Sequence, residues 1–368
     1  MILGLVVLII AVGCSSGDED SGKKTNSAWL TRKVTPQSEF SPVEIEATLD
    51  KVATALNQTK PQVGMKMAFV PKVIDAFFEQ TTVGANRAFA ELDILGNVFA
   101  PNEVAQDEAV NVQQSLMDEQ IAAGTVNFGL APYAAQLDTS IDAAVAAGGT
   151  VITFDSDAPN STRQLYVGTI NTEAGKTAGN TMLGFIGAAT KGTVVIYGFD
   201  DPGWKDGYDR THEAANVLTA AGHTAVFVHS NWGDPETGEA ELVTALETAD
   251  PPAVGCLGMF NISYQCADAV ATAGMQSQVK VVAFDTELKT MEYMNQGLIL
   301  ATHVQRVYYM GYLVPYLIYS INNLGLAQTK ALLSDIMVDD YRVDTGLDVI
   351  PADGIDAYNA FQSQLGAL

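Results

Sequence analysis

Residues 152–175 read ITFDSDAPNSTRQLYVGTINTEAG, and the order of apolar and polar residues in this stretch decides the fold. A short run rich in β-branched and aromatic residues, Thr150 to Phe154, reads as a strand and stops at Asp155-Ser156-Asp157. The turn-forming DAPNS leads into a second short run, Tyr166 to Thr169, and an amphipathic stretch then reads as a helix from Glu173 to Ala189. Working towards the amino terminus, Lys66 to Val70, Asp93 to Phe99 and Thr125 to Leu130 are further candidate strands. They are separated by candidate helices at Thr82 to Leu92, Glu103 to Ala122 and Leu137 to Ala147. Working towards the carboxyl terminus, strands are expected at Thr193 to Tyr197, Thr224 to His229, Ala253 to Met259 and Lys280 to Phe284, again with helices between. Strand and helix alternating at this spacing imply parallel sheets covered on both faces, and the count implies two similar α/β lobes, each doubly wound.

In such sheets ligands bind beyond the carboxyl ends of the strands, so the residues that end the apolar runs carry the information. VITFDSD delivers Asp155 and Asp157, VKVVAFD delivers Asp285, LILATHVQ delivers Gln305, and MKMAFVPKVIDAFF delivers Lys72, Asp75, Phe77 and Phe78. A carboxylate accepting from two neighbouring hydroxyls makes charge-assisted hydrogen bonds, and an aromatic ring covers the C–H face of a sugar ring. Phe77, Trp232 and Trp204 are the candidate rings, and Asn261 in MFNIS is a candidate hydroxyl reader. Most of these positions have a plainer reading. Asp155, Asp157, Asp285 and Asn261 each precede a candidate helix or turn that they would cap. Lys72 would pair with a local carboxylate, Gln305 would satisfy backbone, and one of the two adjacent phenylalanines faces the core, because neighbours in an extended segment point to opposite sides.

The chain has 43 acidic and 19 basic residues, a formal charge of -24 that repels phosphate backbones and excludes nucleic acid as an expected partner. Its four histidines share no metal-ligand spacing with cysteine or one another, and GFDDPGWKDG lacks the Lys-Ser/Thr ending of a phosphate-cradling loop, so no cofactor or metal is expected. The stretch VYYMGYLVPYLIYSINNLG is strongly apolar, but Pro315, two asparagines and five tyrosines make it a buried helix, not a membrane span. Cys256 and Cys266 fall on a strand and the next helix, and either a disulfide or two separately buried thiols satisfies the spacing.

At the amino terminus Ile2 to Val12 is an unbroken apolar run, shorter than the roughly twenty residues that span a bilayer. It ends in Ala11-Val12-Gly13-Cys14, which resembles the processing box of bacterial lipoproteins, although no Lys or Arg precedes the run and Leu usually begins the box. That resemblance implies a signal peptide at 1–13, lipid on Cys14, and a location in the periplasm or at the cell surface, attached to a bacterial membrane through the lipid alone. Residues 14–40 then read as a flexible tether. Residues 41–63 read as an accessory helix with Ser41 and Pro42 at its start and Val43, Leu49, Val52 and Leu56 on one face.

AFVPKVIDAFF (68–78), the stretch quoted first, GMFNISYQCADAVATAG (258–274), VKVVAFDTE (279–287) and GLILATHVQRVYYMGY (297–312) occur in an order and spacing that resembles the periplasmic sugar-binding proteins of ABC importers, the ribose-, galactose- and rhamnose-binding type. The resemblance implies the type I periplasmic binding protein fold, two lobes joined by three crossings near Asn171, Gln305 and Asp339. Lobe 1 is then 64–171 plus 306–339, and lobe 2 is 172–305 plus 340–368. It implies that Asp155, Asp285 and Gln305 contact the ligand and that the second-lobe arginine falls near Tyr208 to Arg210. Asp75 stands where the ribose-binding pattern has Asn, and Ser156 stands where it has Arg, which points to hexoses, deoxyhexoses, polyols or a furanosyl sugar before ribose. The implied function is capture of a monosaccharide or polyol by a monomer and delivery to an ABC permease, without catalysis. A sensor presenting sugar to a chemoreceptor or kinase, and a glycosidase using paired aspartates, are the alternatives.

Overall fold

The computed structural model describes residues 28–101, 106–202, 204–231 and 233–367. In chain order the helices are α1 (Val43–Leu56), α2 (Ala76–Leu92), α3 (Gln106–Ala122), α4 (Asp138–Ala146), α5 (Asn171–Ile186), α6 (Lys205–Ala220), α7 (Pro235–Glu247), α8 (Tyr264–Thr272), α9 (Leu288–Asn295), α10 (Val307–Leu324), α11 (Leu326–Leu332) and α12 (Ile355–Leu365). The strands are β1 (Lys66–Val70), β2 (Leu95–Val98), β3 (Phe128–Leu130), β4 (Val151–Phe154), β5 (Leu165–Gly168), β6 (Thr193–Gly198), β7 (Thr224–His229), β8 (Ala253–Gly258), β9 (Lys280–Phe284), β10 (Ala301–Gln305), β11 (Arg342–Asp344) and β12 (Leu347–Pro351).

The strands form two sheets of matching order, β2-β1-β3-β4-β5-β11 and β7-β6-β8-β9-β10-β12. All pairings are parallel except β10 with β12. Each lobe is therefore a doubly wound α/β unit. The central strands β3, β4, β5 and β6 are buried along their whole length, which is why they read as unbroken apolar runs rather than alternating ones.

Each sheet carries an apolar layer on both faces. In the first lobe one layer joins Phe69, Phe154 and Leu165 to the tyrosine-rich face of α10, with the Phe69 and Phe154 rings stacked 4.4 Å apart. The opposite layer is Ala68, Val70, Met117, Phe128 and Ile141. In the second lobe the layers are built around Val195, Cys256 and Val281, and around Ile196, Leu257 and Phe284. Cys256 and Cys266 are both buried and unbridged. Helix α10 lies across the first sheet and against α2, and glycine sets how close the two helices come. A Cβ at Gly311 would stand 1.9 Å from the Thr81 carbonyl oxygen. Among the described residues no helix is long and apolar enough to cross a membrane.

The chain passes between lobes after β5, after β10 and after β11. The third crossing lies at Thr345-Gly346 and not near Asp339. The reason is that Arg342–Asp344 adds to the first sheet beside β5 before the chain leaves it. Arg306 ties the crossings together: it donates to the Thr345 carbonyl at 3.3 Å and pairs with Asp348 at 2.7 Å, while the Thr345 amide donates to Gly168 O at 3.0 Å.

Residues 28–40 differ from the expected tether, for they are packed on the first lobe. Leu30 and Thr35 are buried, the Trp29 indole donates to Leu56 O and Thr59 O, and Arg32 binds Glu46 and Asp50. Helix α1 buries Ile45, Leu49, Val52 and Leu56 and leaves Val43 exposed. Ser41 does not cap it, because its hydroxyl is engaged with Pro36 O and the Ser38 amide. The expected signal peptide and lipidated Cys14 lie outside the described residues.

Candidate ligand-binding site

The site is built on the ends of two equivalent strands. In the first lobe β4 ends at Phe154, and Asp155 follows with a left-handed backbone at φ 61°. In the second lobe β9 ends at Phe284, and Asp285 follows at φ 62°. Asp is among the few residues other than glycine that occupy this region readily. Each turn is held in the same way, by a hydrogen bond from its backbone N–H to the neighbouring strand and by a hydroxyl that donates to its own carbonyl. Asp155 N–H donates to Val167 O and the Tyr166 hydroxyl donates to Asp155 O at 2.9 Å. Asp285 N–H donates to His303 O and the Thr302 hydroxyl donates to Asp285 O at 2.6 Å.

Two cations oppose these carboxylates. Lys72, on the loop between β1 and α2, donates to Asp155 Oδ2 at 2.9 Å and to Ser156 Oγ. Its ammonium also stands 6.0 Å from the ring centre of Trp204, a second-lobe residue, so the lobes meet here. Arg210, on α6, donates through Nε and Nη2 to Asn171 Oδ1 and through Nη1 to Met259 O, and its guanidinium lies 4.2 Å over the Phe284 ring. These bonds go to neutral oxygens, which leaves its charge to act on Asp285, Asp155 and Asp206. Burial lowers the Arg210 pKa, and the three aspartates oppose that shift.

Burial pushes Asp285 up to about 6, against the pull of Arg210 and of Gln305, whose amide donates to Asp285 Oδ1 at 3.3 Å. Asp206, in the first turn of α6, is likewise pushed up by burial to about 6, with Lys72 and Arg210 lowering it and Asp155 raising it. Charges of the first lobe thus act on an acid of the second. Asp75 is raised by burial although it caps α2, accepting from the Phe78 amide at 2.8 Å.

Asp155, Asp285, Gln305, Lys72 and Asp75 therefore form one cluster of mutually interacting groups that spans the two lobes, with Trp204 beside Lys72 on the second-lobe side. Phe77 is half-buried and meets Phe78 edge-on, whereas Phe78 belongs to the first-lobe core. Asp157 is held within its own turn. Arg163 grips both of its oxygens at 2.5 and 2.6 Å, and the Thr153 hydroxyl and Ala158 amide complete its shell. These bonds anchor the turn. Asn261 sits between β8 and α8 and is half-exposed. Trp232 lies outside the described residues. Arg210 falls in the window Tyr208 to Arg210 expected for the second-lobe arginine, whereas Asp206, one helical turn before it on α6, was not chosen from the sequence; their i, i+4 spacing in KDGYDR was the available signal. Among the described residues no group of three or more His, Cys, Asp or Glu could hold a metal ion.

Residues 67–324 match the model of a periplasmic binding protein domain. No curated protein matches the chain by sequence. A sugar-binding protein of a sugar ABC transporter from Bacillus halodurans is similar in structure, with a TM-score of 0.66 at 22% identity over 80% of this chain and 99% of that one. A glucose-galactose binding protein from Geobacillus stearothermophilus gives 0.66 at 21% identity over 79% and 99%. An arabinose binding protein from the same organism gives 0.66 at 23% identity over 81% and 99%. At these identities the likeness carries the fold.

Proposed function

The chain belongs to the periplasmic binding protein family, and from that premise we propose that it captures a monosaccharide or polyol between its two lobes and delivers it to an ABC importer. The observation that carries the reading is the meeting of Asp155 and Asp285, each beyond its own sheet, with Lys72 and Arg210 beside them. Carboxylates held in a buried, charge-compensated cleft accept paired hydroxyl donors, and binding that bridges both lobes favours the closed arrangement. Asp75 and Asp206 add to the acidic side, so the cleft suits an uncharged polyhydroxy compound better than a sugar acid or sugar phosphate. The solved relatives named above are described as binding arabinose or glucose and galactose, which fits this class.

The family works outside the cytoplasm. We place this member on a bacterial membrane through lipid on Cys14, as a monomer. Metabolic labelling with palmitate that Cys14→Ser abolishes is the expected result. The main test is a thermal-shift screen against pentoses, hexoses and polyols. A ligand at about 100 times its Kd adds about 2.7 kcal/mol to stability, and no shift with any sugar overturns the proposal. Aryl glycosides incubated with the protein are expected to stay intact.

A further inference from the structure

We propose that residues 28–62, which precede the family-matched region, form a brace across the back of the hinge that limits how far the lobes part. The brace is rooted in the first lobe. The Lys33 amide donates to Glu91, its carbonyl accepts from Arg87, and α1 packs on α10 and α11. From that base the segment reaches the other lobe through Phe40, whose ring packs against the cores of both lobes. It meets Tyr358 edge-on, with ring centres 5.3 Å apart and planes at 80°.

Tyr358 itself sits in the second-lobe core, while Phe361 and Leu365, further along the same helix α12, sit in the first. Phe40 therefore covers a seam where α12 passes from one core to the other. The start of α1 is close to the crossings as well. Glu44 and Ile45 line a cavity of ≈ 140 Å³ together with Arg306, Thr345 and Gly346, residues of the second and third crossings. Rotation that widens the cleft mouth must compress or shear this packed seam. Close-packed interiors resist both, so the accessory segment sets a stop on opening.

The experiment needs no ligand. Ile74 and Leu288 are 63% and 65% exposed and stand on opposite lobes beside Asp75 and Asp285. The full chain carrying Cys14→Ser, Ile74→Cys and Leu288→Cys, labelled with nitroxides at the two new cysteines, reports the separation of the rims by pulsed electron paramagnetic resonance. Cys256 and Cys266 are buried and escape labelling. The expected result is one dominant distance, with any longer population a minor state of about 1–10%. Phe40→Ala is expected to make the longer population the majority, and the milder Phe40→Leu to raise it several-fold. Lys51→Gln removes only a tie between α1 and Asp335 on the same lobe and should leave the distances unchanged. The brace is overturned if the Phe40→Leu distances equal those of the native chain, or if Lys51→Gln shifts them as much.

Discussion

Asp155 and Asp285 are equivalent residues of the two lobes, each the first position beyond the fourth strand of its sheet, left-handed at φ 61° and φ 62°, and close enough that the charge of Asp155 acts on Asp285. The equivalence extends to the hydroxyls of Tyr166 and Thr302 on their carbonyl oxygens. Such turns fix where the carboxylates point before any ligand arrives.

Asp285→Asn keeps a residue that tolerates the left-handed turn and removes the charge. Hydrogen bonds to charged groups contribute roughly 1.5–3 kcal/mol, so sugar affinity should fall about 10- to 100-fold, with the melting temperature little changed. Isothermal titration with a sugar identified by the thermal-shift screen measures it, and unaltered affinity contradicts the assignment.

Ligand-free stability and ligand affinity should respond to pH in opposite directions. Asp206 and Asp285 have folded-state pKa values raised to about 6, so the folded chain holds protons that the unfolded chain releases near pH 4. Their contribution is complete below about pH 4 and is lost as pH rises through 6, at up to about 1.4 kcal/mol per pH unit for each proton. Sugar binding uses the ionised forms and should weaken as pH falls below 6. Denaturation and titration series from pH 4.5 to 7.5 separate the two effects, and Asp206→Asn should flatten both.

Arg210→Met should destabilise the second lobe by about 3–5 kcal/mol, because it strands Asn171 Oδ1 and leaves Asp285 buried without the cation that offsets its burial. The Asp285 pKa should rise further. Urea unfolding gives the first result, and carboxyl carbon NMR titration gives the second.

Glu91→Ala tests the polar layer between the accessory segment and α10. Glu91 accepts from the Tyr312 and Tyr316 hydroxyls at 2.6 Å and from Arg87 at 3.0 Å, and its loss leaves Arg87 and two buried hydroxyls short of an acceptor. A loss of about 3–5 kcal/mol is expected in urea unfolding, and a loss under 1 kcal/mol contradicts this account.

Much of this site was legible because strand ends are legible. VITFDSD and VKVVAFD each join an apolar run to an acid, and in a parallel sheet that junction faces the cleft. Asp206 was hidden because it lies in the first turn of a helix entered through an irregular loop, where an acid on a solvated face looks the same. The Arg163 partner of Asp157 was hidden because it closes a turn that spacing alone does not describe. The third crossing was placed too early because β11 is a three-residue strand, Arg-Val-Asp, with no apolar run to mark it. Residues 28–40 read as a tether because their composition is polar, yet Trp29, Leu30 and Phe40 are enough to dock them.

The chain segments that pass between lobes lie side by side, with Arg306 bonded to Thr345 and Asp348 and the Thr345 amide bonded to Gly168. Bodies joined at several adjacent points along one row can rotate about that row, but sliding or twisting one past the other would break the bonds between the points. The molecule is thereby reduced to a single mechanical freedom, that of a clasp. A permease touching both rims would read one variable, the angle.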